Sequence, residues 1–497
     1  MTDGVAMLFN SYEFVFLFLP ISILGYYFLV RKEKSEAAKV WMTAMSFWFY
    51  GSFRMEYLWV LSGSLIFNYG VILILKRKPI PPWSMSRRKK GILAVGIAGN
   101  LGLLFYVKYM NFFIENINEI RGGSWPLLQV LLPVGISFFT FQQISFLVDY
   151  AKGEVQECSF IDYVLYISYF PKLTEGPIVT HEELFSQFRQ IGNKELDSEE
   201  IRKGMTLFVF GMAKKVLLAD TFGNAVNYGY DNLHLIHSPD AILLVLFYAL
   251  QLYFDFSGYC DMAMGISRIF GIRLPLNFNS PYQAKNIVDF WKRWHITLSR
   301  FFTKYVYIPL GGNRKGTAVM CRNMLIVFFL SGLWHGAGWN FILWGMLHGG
   351  LYVFTRMWQR RKQGKESKGS VLLTFVYVSI AWVYFRARSV AQGNELLRLA
   401  ISGGWERVNK NLAGYFNLDE FWYVLKVLRL DRWEYGHYLL MFVITAFSLV
   451  LVFLGKNAVK VTEEMKPRTW SAVFTAGLFF WCILMFSNVS SFLYFNF

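Results

Sequence analysis

Two histidines stand out as side chains able to do chemistry in apolar surroundings. His335 lies in the run Gly332-Leu-Trp-His-Gly-Ala-Gly338, inside a hydrophobic segment. His295 precedes it by forty residues, in Asp289-Phe-Trp-Lys-Arg-Trp-His-Ile-Thr-Leu-Ser-Arg300. An imidazole at bilayer depth is costly unless it has a partner or a task. Its ordinary pKa suits proton transfer near neutrality, so a general base is the chemistry these positions suggest. Small neighbours leave His335 open to a substrate that reaches that depth. The same Gly332 and Gly336 have the spacing that lets membrane helices approach closely, and packing around an incidental polar residue is the competing reading.

His295 falls on a stripe with Val288, Trp291, Leu298 and Phe302, within a helix expected over 287–305. Apolar residues recur there every three or four positions, and Lys292, Arg293, Arg300 and Lys304 take much of the remainder. A helix of this kind lies in the membrane interface with its basic residues toward headgroups. Spacing alone leaves His295 open between a buried structural histidine and a functional one. His348 lies about 220° around a helix from His335 at 100° per residue, which predicts a different face.

Other chemistries lack support. No His-Glu-x-x-His or Cys-x-x-Cys pattern offers metal ligands, and His181-Glu182-Glu183 is not followed by a second histidine. No Gly-x-Ser-x-Gly elbow suggests a serine hydrolase. Asp255 and Asp261 near a span end are equally explained by function or by capping. Gly311, Gly312, Asn313 and Arg314 form either an anion cradle or a plain turn.

The elements that must position these residues are membrane helices. The chain has 497 residues, of which 55% are hydrophobic and 17% charged. Several apolar runs approach the roughly 20 residues that cross a bilayer, so the fold class is an all-α polytopic membrane protein. The net charge of +17 is concentrated in loops, which fits cytoplasmic loops and anionic lipid headgroups rather than nucleic acid. The four cysteines are scattered and none pair into a redox or metal spacing. The first apolar run lacks a basic leader and an exit site, so it is expected to remain as a span.

Spans are predicted near 14–30 (kinked at Pro20), 40–50, 57–75, 91–105, 127–148, 241–258, 371–385, 438–454 and 470–486, and 205–218 is either an amphipathic or a spanning helix. Residues 160–178, interrupted by Pro171, Gly176 and Pro177, are either a re-entrant segment or a span ending at Phe170, with Lys172 and Glu175 able to pair. The loop 76–90 carries seven Lys and Arg and no acid, and 356–368 is basic again, placing both in the cytoplasm. Residues 390–436 are expected as surface helices. About eleven membrane elements result, in one domain over 1–497 with a motif-bearing core near 127–358 and C-terminal helices over 371–497.

Six motifs, taken in order, resemble a known family. They are Pro133-Val-Gly-Ile-Ser-Phe-Phe-Thr-Phe-Gln142, Phe170-Pro-Lys-Leu-Thr-Glu-Gly-Pro-Ile178, Tyr253-Phe-Asp-Phe-Ser-Gly-Tyr259, Asp289-Phe-Trp-Lys-Arg-Trp-His295, Tyr307-Ile-Pro-Leu-Gly-Gly-Asn-Arg314 and Leu333-Trp-His-Gly336. Together with Met7 to Pro20 and Phe492 to Phe497, they resemble the membrane-bound O-acyltransferases of the bacterial alginate O-acetyltransferase type, related to the teichoic-acid D-alanyl transfer proteins. The resemblance implies a helical ring with a central tunnel and acyl transfer from a thioester to a hydroxyl. It places the catalytic histidine at His335 and the second active-site position at His295, which would donate toward the developing oxyanion. Arg293, Arg300 and Arg314 become candidates for the donor's phosphates, with Asp255 and Trp334 as further substrate contacts. It also implies acetyl-CoA as the donor substrate, no bound cofactor or metal, and a multi-pass location in a bacterial cell membrane. The partners implied are membrane lipids and an extracytoplasmic SGNH-type acetyltransferase or other polysaccharide-modifying protein. D-alanyl transfer from a carrier-protein thioester, and a non-enzymatic glycan or lipid exporter, are the alternatives.

Overall fold

The computed structural model describes residues 7–76, 86–155, 158–191, 197–361, 370–427, 429, 433, 435–486 and 492–493. Most of the basic loop 76–90, residues 362–368 of the second basic loop, the six residues before Met7 and the terminal 494–497 lie outside them. The regular elements among the described residues are all helices, without a strand. Among the described residues, six helices are long and apolar enough to cross a membrane, and Val371–Arg386 and Thr469–Leu484 are shorter apolar helices. The protein is a multi-pass membrane protein. The chain forms two compact units, one of 1–208 with 262–275 and one of 209–261 with 276–497.

In the first unit, the opening span runs from a π-helical turn, Phe14–Phe18, into the α-helix Leu19–Arg31. Pro20 sits where the winding changes, since its missing N–H disturbs the ladder there. Ser35–Gly51 and Met55–Lys76 follow as expected. The span predicted near 91–105 is much longer, a helical stretch over Arg87–Arg121. The apolar run predicted at 127–148 splits. Residues 123–133 are not helical, because Pro126 and Pro133 supply no N–H and hold their predecessors extended. Asn111 and Asn118 replace the missing ladder, each exchanging two hydrogen bonds with the backbone, at Leu128 and Trp125 respectively. The helix starts only at Ile136, after Gly135 at φ 75°, where a Cβ would lie 2.6 Å from the Leu173 carbonyl oxygen.

The segment 160–178 is broken, as its prolines and glycine led one to expect. Phe160–Ser168 begins on a Ser159–Asp162 capping box, the chain breaks at Tyr169, and one short turn, Phe170–Leu173, precedes extended backbone. Residues 163–179 are buried throughout, which is the condition under which interrupted backbone survives in a membrane protein. Lys172 is turned not to Glu175 but to the Gln142 carbonyl, with its ammonium 4.9 Å from the Tyr166 ring centre.

The second unit holds both histidines. Its core is aromatic, with Trp294, Trp344 and Trp382 fully buried and Trp344 stacked on Trp382 at 5.4 Å. A buried ionic network ties the turn Lys214–Ala219 to the helix Ser238–Ile269: Lys215 meets Asp220 at 2.8 Å and Asp255 at 2.7 Å, and Lys214 meets Asp261 at 2.6 Å. Each ammonium has a carboxylate, as charges taken out of water require. The region 390–436 contains the short helices Val390–Ser402, Lys410–Gly414 and Trp422–Val427, as expected for surface elements.

Candidate active site

The single helix predicted over 287–305 is two short helices, Ile287–Trp291 and Ile296–Phe302. The first starts on Asn286, whose side chain accepts from the Asp289 N–H at 3.0 Å. The second starts at His295, which adopts the left-handed conformation at φ 45° and ψ 53°. That conformation costs about 1–3 kcal/mol in a residue with a Cβ. It is held by Asn277, whose backbone carbonyl accepts from Ile296 N–H at 3.0 Å and whose side-chain oxygen accepts from Thr297 N–H at 3.2 Å. The amphipathic stripe runs unbroken through the turn because both short helices bury their aromatic sides, so periodicity gave no warning of the break. The expectation that His295 faces inward holds: it is fully buried.

His335 is the last residue of the helix Thr317–His335. Gly336 leaves the helix in an extended conformation, and the next helix, Trp339–Arg361, folds back along the first. Glycine makes that return possible. A Cβ on Gly332 would lie 2.4 Å from the Phe341 carbonyl oxygen, and one on Gly345 would lie 2.4 Å from that of Phe328. The packing role of the small residues is therefore present, whereas the openness expected of His335 is not: its ring is buried against Trp334, Trp344 and Phe385. The angular argument about His348 fails, because no helix runs through 336–338. His335 and His348 contact the same ring, Trp344, at 5.0 and 5.1 Å.

The two histidines predicted from the sequence come together, with ring centres 6.5 Å apart. Trp334 packs on both, at 4.8 Å from His335 and 6.1 Å from His295. Phe256 meets His295 edge-on at 4.8 Å, and Phe385 meets His335 at 5.1 Å. His295 Nδ1 lies 3.2 Å from the Asn277 side-chain oxygen.

A cavity of about 1000 Å³ opens beside the pair. Its lining includes Ile296, next to His295, and Ser331, one helical turn before His335, but neither imidazole. It is also lined by Lys292, Arg300, Lys304, Arg356 and Arg360, and its described lining residues include no carboxylate. Such a cluster, in low-dielectric walls, focuses positive potential on whatever enters.

The other predicted residues distribute unevenly. Arg300 lines this cavity. Arg293 lines a smaller neighbouring pocket of about 280 Å³ and is paired with Asp289 at 2.9 Å. Arg314 is exposed and lines neither. Asp255 binds Lys215 and accepts from the Leu493 N–H at 3.1 Å, which ties it to architecture. Sequence reasoning missed Asn277, which lies between two of the motifs, and did not join Arg356 and Arg360 to the site.

A sequence profile of the membrane-bound O-acyltransferase family matches residues 150–388. The chain is 40% identical to a peptidoglycan O-acetyltransferase of Helicobacter pylori, over 79% of each chain. It is 35% identical to a probable alginate O-acetylase, AlgI, of Pseudomonas aeruginosa, over 83% of this chain and 78% of that one. It is also 30% identical to a teichoic acid D-alanyltransferase of Bacillus subtilis, over 60% of this chain and 81% of that one.

Proposed function

The chain belongs to the membrane-bound O-acyltransferase family, and from that premise we propose that it moves acetyl groups from cytoplasmic acetyl-CoA to the far side of the membrane for O-acetylation of a cell-wall or extracellular polysaccharide. The observation that carries this reading is the charge of the cavity: five cations and, among the described lining residues, no carboxylate. Coenzyme A brings a diphosphate and a further phosphate, whereas a carrier protein's arm brings a single phosphodiester. The cluster is matched to the former. Arg300, Arg356 and Arg360 are assigned to these phosphates as charge-assisted donors. The basic cluster belongs in the cytoplasm by the distribution of Lys and Arg in the loops.

In this reading the thioester enters by the basic cluster and its acetyl end reaches the wall at Ser331. His335 takes the proton of the attacking hydroxyl as the oxygen bonds to the carbonyl carbon. The carbon–sulfur bond then breaks, and the proton is returned to the departing sulfur, giving the ester and the free thiol. His295 and Trp334 pack against His335 outside the cavity's lining. The acceptor side is served by an extracytoplasmic partner of the SGNH type that hands the group to the polysaccharide.

Purified protein in liposomes, offered acetyl-CoA, acetyl-pantetheine or a carrier-protein thioester, tests the donor assignment by thiol release. Acetyl-CoA should be used with a KM at least about tenfold below that of acetyl-pantetheine, the worth of one charge-assisted hydrogen bond. Equal KM values would remove the case for phosphate recognition. Preference for an alanyl carrier thioester would select the D-alanyl reading, and glycan passage without thiol release would select the exporter.

A further inference from the structure

We infer that Asn277 is a positioning residue: it holds His295 as the Nδ1–H tautomer, so that the neutral ring acts only as a hydrogen-bond acceptor, through Nε2. This rests on the acyl-transfer reading for its role, though not for its geometry.

The side-chain amide of Asn277 is oriented by groups whose roles are fixed. Its Oδ1 lies 3.2 Å from the Thr297 backbone N–H, a group that can only donate. The Thr297 hydroxyl adds a bond to the same oxygen at 3.0 Å. On its other arm, Nδ2 donates to the Cys260 sulfur at 3.4 Å. The atom facing His295 Nδ1 at 3.2 Å is therefore an oxygen, and an oxygen accepts. Nδ1 must carry the proton, which in a neutral imidazole leaves the lone pair on Nε2.

The ring cannot escape this choice by turning over. Asn277 and His295 are both fully buried. Phe256 stands edge-on to the imidazole at 88°, Trp334 packs on it, and the Ile296 N–H is held by the Asn277 backbone carbonyl. One residue thus fixes both the left-handed backbone of His295 and its protonation pattern.

The consequence differs from the role the resemblance implied. A neutral His295 has no N–H to offer a developing oxyanion, because its single N–H is committed to Asn277. Whatever hydrogen bond it makes to the reacting groups is one it receives. This is how buried histidines are commonly tuned: the bond at one nitrogen decides the chemistry at the other.

The test uses full-length protein labelled with ¹⁵N-histidine, with His295 identified by comparison with His295→Gln. The expected spectrum has protonated Nδ1 and unprotonated Nε2 in the wild type and in Asn277→Asp, which keeps an acceptor at that place. In Asn277→Leu the protonated Nε2 form should appear. In thiol release, Asn277→Leu should lose roughly tenfold to hundredfold in kcat, the scale of a misplaced reacting group, with the donor KM unchanged, and Asn277→Asp should recover most of it. A protonated Nε2 in the wild type overturns the inference, as does a kcat unchanged in Asn277→Leu. Should Asn277→Leu fail to fold, the wild-type and Asn277→Asp spectra decide alone. A wild type that releases no thiol from any thioester overturns the acyl-transfer reading, whereas a wrong tautomer in an active protein overturns only this inference.

Discussion

Lys214 and Lys215 belong to the same compact unit as the cations around the large cavity, yet the two groups are surrounded differently. Lys215 is almost wholly buried between Asp220 and Asp255, and Lys214 holds Asp261. Lys292, Arg300, Lys304, Arg356 and Arg360 share the lining of the large cavity. In the first group each charge is neutralised by protein, and the result is a fixed link between helices. In the second, five cations gather around one cavity, with no carboxylate among the described residues that line it. Basic residues therefore point to a ligand when they converge on a cavity rather than on buried carboxylates, and the same comparison ties Asp255 to the scaffold.

The difference can be broken from either side. The largest effect is expected from Asp255→Ala, which removes one of the two carboxylates on a buried ammonium. Breaking such a pair costs about 3–5 kcal/mol, seen as a lowered unfolding temperature in detergent. A variant as stable as the wild type would return Asp255 to the list of substrate contacts. Next comes Gly345→Ala, whose added carbon would meet the Phe328 carbonyl oxygen at 2.4 Å. Overpacking of this kind costs about 1–3 kcal/mol, and displacement of the His335 helix should lower thiol release with it. Arg300→Gln should be nearly neutral for stability and raise the KM for acetyl-CoA about tenfold, with a weaker dependence on salt. The smallest effect belongs to Arg314→Gln: exposed and away from the cavity lining, it should change stability and KM by less than about 0.5 kcal/mol. A large effect there would redraw the donor's path.

Much of this was legible in the sequence, for physical reasons that also mark the limit. A run of apolar residues long enough to cross a bilayer has few alternatives, so Leu19–Arg31, Met55–Lys76 and Gly436–Leu454 fell close to their predicted places. A histidine among glycines in an apolar run is conspicuous, and His335 was found that way. The break before His295 was invisible because helical periodicity records which face is buried, not whether the backbone is continuous. Asn277 was hidden for a related reason: it acts from a non-helical segment across a gap in sequence, and one asparagine carries no pattern. Arg356 and Arg360 were visible only as a basic loop, since their approach to Arg300 depends on the glycine-mediated return at 336–338. The extended stretch 123–133 escaped because its composition is that of a span, while its two prolines forbid one.

The account rests on His335, and acetyl transfer by His335→Ala tests it most directly. Wild-type and variant protein would be reconstituted with labelled acetyl-CoA, and both coenzyme A binding and thiol release measured on the same folded samples. The prediction is retained binding, because the cations of the cavity are untouched, with transfer reduced by about 10²- to 10⁴-fold, the usual worth of a general base. Transfer at the wild-type rate from a folded, inserted His335→Ala protein would contradict it.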